Sequence, residues 1–267
     1  IVAPPLGALL IEALPMQTVL LVDILTAALG VGALVVVRIP QPPRPGAIGA
    51  IRIHRELGDA LRYMRSMPGM MILVSTGVMI NFMLIPAGSL LPLLVKDHFG
   101  GDAHAFGWIQ SSHGIGVVAG GLVLSLWGGF KRKIVTSQVG VVGIGIGNLV
   151  LGVTPETMFF VALAAVFLAG FMLAWNGVVF AVLQATVLPE MQGRVFTLIN
   201  SLVSGISPLS LAVAGPLADQ LGIRFWYVLG GVVCIILGSV VLFIPNVVNA
   251  ERLSAERNAL LLAERGV

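Results

Sequence analysis

The chain has 267 residues, 57% of them hydrophobic and only 10% charged, with a mean hydropathy of +1.02. A water-soluble domain carries roughly 25% charged residues and could not hide this much apolar surface. The net charge of +3 comes from basic residues spread over several loops without a patch, which excludes a nucleic-acid-binding face.

The first element is the apolar stretch 1–14, too short to span a bilayer alone. With no initiator Met and no signal peptide before it, it reads as the end of a helix that the chain enters partway. Longer apolar stretches follow at residues 17–37, 69–92, 105–127, 134–153, 157–184, 195–218 and 223–244. Each has about the ~20 residues needed to cross a ~30 Å hydrocarbon slab as a helix. Each is apolar nearly all round, as a membrane span should be. The expected class is an all-α polytopic membrane protein.

Residues 38–68 form the one long internal connection. Its Pro-rich start, residues 39–45, cannot be helical and suits an extended linker. Residues 51–67 then set Ile53, Leu57, Ala60, Leu61 and Met64 between charges, which predicts an amphipathic helix lying on the membrane surface. A long basic loop between groups of spans reads as a seam. Residues 1–37 are then the end of a first bundle, 38–68 a cytoplasmic linker, 69–244 a six-helix second bundle and 245–267 a tail. In that tail, residues 249–266 suggest a further short surface helix with Arg252 and Glu256 at i,i+4.

Under strict alternation, one side of the membrane receives Arg38, Arg44, Arg52, Arg55, Arg62 and Arg65, then Lys131, Arg132 and Lys133, then Arg194, then Arg252, Arg257 and Arg265. The other side receives only Lys96 and Arg224. The positive-inside rule makes the richer side cytoplasmic, with the C-terminus inside, in the inner (plasma) membrane.

Polar side chains within the spans are candidate functional groups, because lipid ought to exclude them. Asp23 costs ~2.5–3.5 kcal/mol on insertion scales if charged. It is either a proton-coupling group or a hydrogen-bonded one that fixes packing, whereas Glu12, nearer an interface, reads as a solvated end residue. Gln110 and His113, three apart, share a helix face, and His can change charge near neutral pH. Asn176, Phe180 and Gln184 recur every four residues, with Trp175 beside them. Asn81 lies mid-span, and Asn200, Ser204 and Ser207 share a face. These groups either line a route for solute or hydrogen-bond between helices. Pro86, Pro92 and Pro208 each remove a backbone donor within or at the end of a span.

Glycine is plentiful, with 33 residues. Gly116 with Gly120, and Gly143 with Gly147, form small-xxx-small pairs that let helices approach closely. The run Gly143, Gly145, Gly147 lacks the spacing and the preceding strand of a dinucleotide loop. The only cysteine, Cys234, has no disulfide partner and no companion metal ligands. Without a nucleophile elbow, a zinc-protease motif or a Walker loop, no enzyme, cofactor or metal site is expected, and an ion gradient is the expected energy source.

Several segments resemble the major facilitator superfamily, specifically its macrolide-efflux-type drug:proton antiporters of twelve spans. Ala3-Pro4-Pro5-Leu6-Gly7-Ala8 is similar to the antiporter motif of the fifth span, with Ala at two of its glycines. Leu21-Val22-Asp23-Ile24-Leu25, followed by Val37-Arg38-Ile39-Pro40, resembles the sixth span and its exit. Glu56 to Arg65 resembles the central-loop helix, Leu188 to Phe196 the loop before span eleven, and Gly215 to Gly222 the end of that span. The resemblance implies a fragment of the major facilitator fold, a partial fifth span plus spans six to twelve, whose missing N-terminal spans are its partner. It also implies that spans seven, eight, ten and eleven line a cavity. Asn81, Gln110, His113, Trp175, Asn176, Phe180, Gln184, Asn200 and Ser204 are then substrate-cavity candidates, Asp23 and His113 proton-coupling candidates, and Pro4, Pro5 and Gly7 the antiporter-like segment. In the counterpart of the family's Gly-x-x-x-Asp-Arg loop, Ser125 stands where the acid would be, so the resemblance does not extend to an Asp–Arg latch. The implied function is proton-coupled efflux of an amphipathic small molecule by alternating access. The alternative is a membrane-embedded partner or regulatory remnant that does not transport.

The threading is testable. Cysteines introduced as Lys96→Cys and Lys131→Cys are expected to react with a membrane-impermeant thiol reagent from opposite sides of sealed vesicles. Reaction from the same side would break the alternation on which every span assignment depends.

Overall fold

The computed structural model describes residues 16–36, 50–67, 69–249 and Leu253. It is helical, with no strand among the described residues. In chain order the helices are α1 (Met16–Val36), α2 (Ala50–Ser66), α3 (Met70–Leu93), α4 (Ala103–Trp127), α5 (Lys133–Val153), α6 (Phe159–Asn176), α7 (Val178–Thr186), α8 (Pro189–Leu221), α9 (Ile223–Leu242) and a last short turn, α10 (Pro245–Val248). From Met70 onward, six helical stretches are long and apolar enough to cross a membrane: α3 with its extension to His98, α4, α5, α6 with α7, α8 and α9. Helix α1 coincides with the stretch expected at 17–37. The segment around Pro4, Pro5 and Gly7, the Pro-rich linker and the tail helix lie outside the described residues.

Short capping contacts set the connections between helices. Asp102 accepts the Ala105 amide at 2.9 Å and so caps α4. That bond, with His104 beside it, holds the exposed carboxyl below its usual range. At the other end of α4, Gly128 and Gly129 adopt φ of 80° and 76°, a left-handed turn that other residues rarely enter. Phe130 donates its amide to Thr136 Oγ1 at 2.9 Å and Lys133 donates Nζ to the Gly128 carbonyl at 2.6 Å, closing the basic turn.

Packing runs as a chain of helix contacts: α4 on α6, α6 on α5, α5 on α9, α9 on α3, and α3 on α8. Glycine makes the first three contacts possible. A Cβ on Gly116 or Gly120 would overlap the carbonyl of Phe167 or Phe171, and one on Gly170 would overlap that of His113. Helix α5 carries glycine on two faces. Gly140, Gly143 and Gly147 meet α6, and Gly145 and Gly152 meet α9. The last contact is reciprocal, because a Cβ on Gly145 would stand 2.8 Å from the Gly231 carbonyl oxygen and one on Gly231 2.7 Å from that of Gly145. Both pairs expected as close-packing sites, and the rejected dinucleotide-like run, are therefore helix-contact glycines.

The buried apolar residues form three clusters along the bundle. One, at the end bearing the basic turn, includes Met64, Met67, Leu73, Ile134, Val195 and Val241. One, at the opposite end, includes Met83, Leu94, Ile109, Leu151, Trp226 and Tyr227. Between them lies only the small group Ile80, Val141 and Cys234.

Three expectations are corrected, and one is extended. The amphipathic helix expected at 51–67 forms as α2, and its apolar side packs on the bundle. Ala60 and Met64, both fully buried, pack into the first cluster, and Tyr63 Oη accepts the Leu188 amide at 3.1 Å. Burial raises the pKa of the Tyr63 hydroxyl above its ordinary value, and the Leu188 bond partly offsets this. Arg194 is not in a loop, because Pro189 occupies the first turn of α8 and starts the helix earlier. Lys96 lies in a wide π-type turn, Leu94–His98, that continues α3 past Pro92. The apolar stretch expected at 157–184 is two helices, divided at Gly177.

Gly145→Val and Gly231→Val are each expected to lower stability by about 1–3 kcal/mol or more through overpacking. Gly121→Ala, where no atom lies within 4 Å of the added carbon, is expected to leave stability unchanged or raise it by up to about 1 kcal/mol. Thermal melts in detergent measure the contrast, and equal effects at all three positions would show that α5 and α9 do not meet there.

Candidate functional site

Proline and aromatic side chains shape the space between α3 and α9. Pro86 and Pro92 interrupt the hydrogen-bond ladder of α3. Trp226 donates Nε1 to the Met83 carbonyl at 2.9 Å, and Tyr227 donates its hydroxyl to the Ala87 carbonyl at 2.5 Å. Both rings are buried. They hold α9 against the proline-bearing half of α3.

Beside them a cavity of about 410 Å³ opens among α3, α4, α5, α6 and α9. Its wall is mostly aliphatic, with Leu84, Ile144, Leu151 and Val166 among the lining residues. Five polar residues interrupt it: Asn81, Gln110, His113, Asn148 and Tyr227. The side chains of Gln110, His113 and Asn148 make no hydrogen bond to any described residue. Asn81 donates Nδ2 to the Gly77 carbonyl at 2.9 Å, which leaves its carbonyl oxygen free. Tyr227 has spent its proton on Ala87. The cavity therefore offers apolar contact together with hydrogen-bonding groups whose capacity is unused.

Glycine sets this geometry. His113 and Gly170 touch backbone to backbone, so the depth of α4 against α6 at the cavity depends on a residue without a Cβ. Gly147, next to Asn148, meets Ala165 and Ala169 in the same way.

A second, smaller cavity of about 100 Å³ lies nearer the basic end, among α3, α5, α6, α7 and α8. Thr76, Asn81, Ser137, Gln138, Asn176 and Phe180 are among its lining residues. Asn81 belongs to both walls.

Of the residues singled out in the sequence, Asn81, Gln110 and His113 meet at the larger cavity, and Asn81, Asn176 and Phe180 at the smaller. Trp175 lines neither. Its indole donates to the Gly120 carbonyl at 3.3 Å, and its ring lies 5.2 Å from Trp127 and 5.8 Å from Phe171. Gln184, Asn200 and Ser204 are exposed on α7 and α8 and line neither cavity. Asp23 sits in α1, but its side chain lies outside what the structure describes. Sequence reading missed Asn148, although an amide in the middle of a span is itself a signal. It also missed Tyr227, which near a span end reads as an interfacial aromatic.

At the end opposite the basic turn, the C-terminus of α5 receives two basic side chains. His98 Nε2 donates to the Thr154 carbonyl at 2.9 Å and Arg224 Nε to the Gly152 carbonyl at 2.8 Å. These are helix-terminal carbonyls that would otherwise lack partners, and the helix dipole favours cations there.

Residues 78–265 match the family model described as Major Facilitator Superfamily. The chain is 28% identical over 238 residues to a protein named Macrolide efflux protein A from Streptococcus pyogenes, covering 88% of this chain and 59% of that one. It is 28% identical over 212 residues to a protein of the same name from Enterococcus faecalis, covering 79% and 66%. To the Multidrug efflux pump Tap of Mycolicibacterium fortuitum it is 24% identical over 190 residues, covering 70% and 46%. The chain thus spans about three-fifths of the length of the first of these relatives.

Tyr227→Phe keeps the ring and removes the bond to Ala87. It is expected to cost about 1 kcal/mol, the net worth of one hydrogen bond, in a chemical unfolding experiment. No measurable change would show that the hydroxyl does not tie α9 to α3.

Proposed function

The chain belongs to the Major Facilitator Superfamily, and from that premise we propose that it is the larger part of a secondary transporter that exports an amphipathic small molecule. The observation that carries the reading is the cavity of about 410 Å³, whose aliphatic wall holds Gln110, His113 and Asn148 with their hydrogen-bonding capacity unused. Small-molecule sites combine this kind of apolar lining with a few placed polar groups. The volume lies within the ~300–1,000 Å³ of such sites. The names of the similar proteins, which include macrolide and multidrug efflux, support a bulky, partly apolar substrate.

The transport cycle in this reading is alternating access, in which the six helices from Met70 onward move largely as one body against an N-terminal bundle. Glycine-mediated contacts suit that role, because packed backbones shift together rather than deform. Protons are the proposed driving ion. His113 is the group on the cavity wall that can exchange one near neutral pH. Asp23 on α1 is the second candidate. The basic turn at Lys131, Arg132 and Lys133 is assigned to the cytoplasmic side of the cell membrane by the positive-inside rule.

In vesicles bearing the complete protein, export of a macrolide or a fluorescent dye is expected to require a pH gradient. Gln110→Leu and Asn148→Leu are each expected to raise the apparent KM about fivefold, the equivalent of one hydrogen bond worth about 1 kcal/mol. His113→Ala or Asp23→Asn is expected to abolish the response to the pH gradient. Proton dependence unchanged in both variants would remove them as coupling groups, and export unaffected by the cavity substitutions would sink the assignment of the site.

A further inference from the structure

The smaller cavity holds a buried acceptor that lacks a partner. Gln138 is 3% exposed, and its Oε1 is buried with no hydrogen-bond partner, the only such side-chain atom among the described residues. A buried acceptor without a partner costs about 1–3 kcal/mol. Two neighbouring groups direct their protons elsewhere. Asn81 Nδ2 is bound to the Gly77 carbonyl. Ser137 directs its hydroxyl at the carbonyl and the side-chain oxygen of Asn176, both at 3.2 Å. Oxygens of Asn81, Ser137 and Gln138 thus line the chamber, and the Thr76 hydroxyl lies in its wall.

The backbone adds to this. The helix divides at Gly177, and the Phe180 amide bonds the Gly177 carbonyl at 3.1 Å. The Asn176 carbonyl, freed from that partner, is met by Ser137 instead. Freed carbonyls at the break of a discontinuous helix are a recurrent source of cation ligands inside membranes.

No charged residue lines the chamber. Divalent cations favour carboxylate ligands, so they do not fit. Neutral oxygens can replace the hydration shell of an alkali cation, as carbonyl rings do in channels. We propose that the chamber among α3, α5, α6, α7 and α8 is a binding site for a small monovalent cation, Na+ or K+, held by the oxygens of Gln138, Ser137, Asn81 and Thr76 and the Asn176 side chain. Because Asn81 also lines the larger cavity, the ion has a route to bias the second site, and the linkage is reciprocal.

The test needs no transport, so its failure is distinct from failure of the export reading. The complete protein in detergent is melted against increasing NaCl or KCl, with choline chloride holding ionic strength constant. A saturable rise in Tm with one alkali ion is expected, absent in Gln138→Leu, which removes the amide oxygen. Gln138→Glu, which adds a charge to the same position, is expected to lower the half-saturating concentration about tenfold. Melts that do not distinguish alkali ions from choline would leave the chamber to water, at about 30 Å³ per molecule, and overturn the proposal. A Gln138→Leu variant that responds like the parent would overturn it as well.

Discussion

Backbone meeting backbone through glycine is the constraint on which this bundle depends. Lipid tails are as apolar as the helices, so burial from water does not drive one helix onto another, and close van der Waals contact must do so. At Gly145 and Gly231 the two helices come near enough that neither position has room for a Cβ. The same holds where Gly116, Gly120 and Gly170 join α4 to α6. Helix α5 stands at the centre because it carries glycine on two faces, one for α6 and one for α9.

Where glycine holds one part of the bundle tight, proline and aromatic residues shape another. Pro86 and Pro92 open the ladder of α3, and Trp226 and Tyr227 donate to carbonyls in its disturbed turns. Large apolar clusters form at the two ends, with the small cluster Ile80, Val141 and Cys234 between them. Two polar-lined cavities flank that level, sharing Asn81. Walls held this way suit a solute site, since they are positioned by packing that the solute does not disturb.

Much of this was legible in the residues. The apolar stretches located the helices, and the small-xxx-small pairs marked where two of them touch. Asn81, Gln110 and His113 stood out as polar groups in apolar spans and do meet at one cavity. Trp175 stood out for the same reason, yet it packs on Trp127 and Phe171, because an indole satisfied by a nearby carbonyl serves a helix contact equally well. Gln184, Asn200 and Ser204 share the chemistry of the cavity groups but are exposed and line neither cavity. Asn148 and Gln138 could not be ranked from their types alone, since an amide in a span is spent or unspent according to its neighbours on other helices.

Hydrophobic length is a property of the chain itself, so the sequence alone determined a polytopic helical protein. Which polar side chains share a wall was decided by tertiary structure, because that depends on how far each helix is rotated and how closely it approaches its neighbours. Glycine permits the approach without dictating the rotation. That rotation is why Gln110, His113 and Asn148, which come from helices α4 and α5, face one space with their hydrogen bonds unmade.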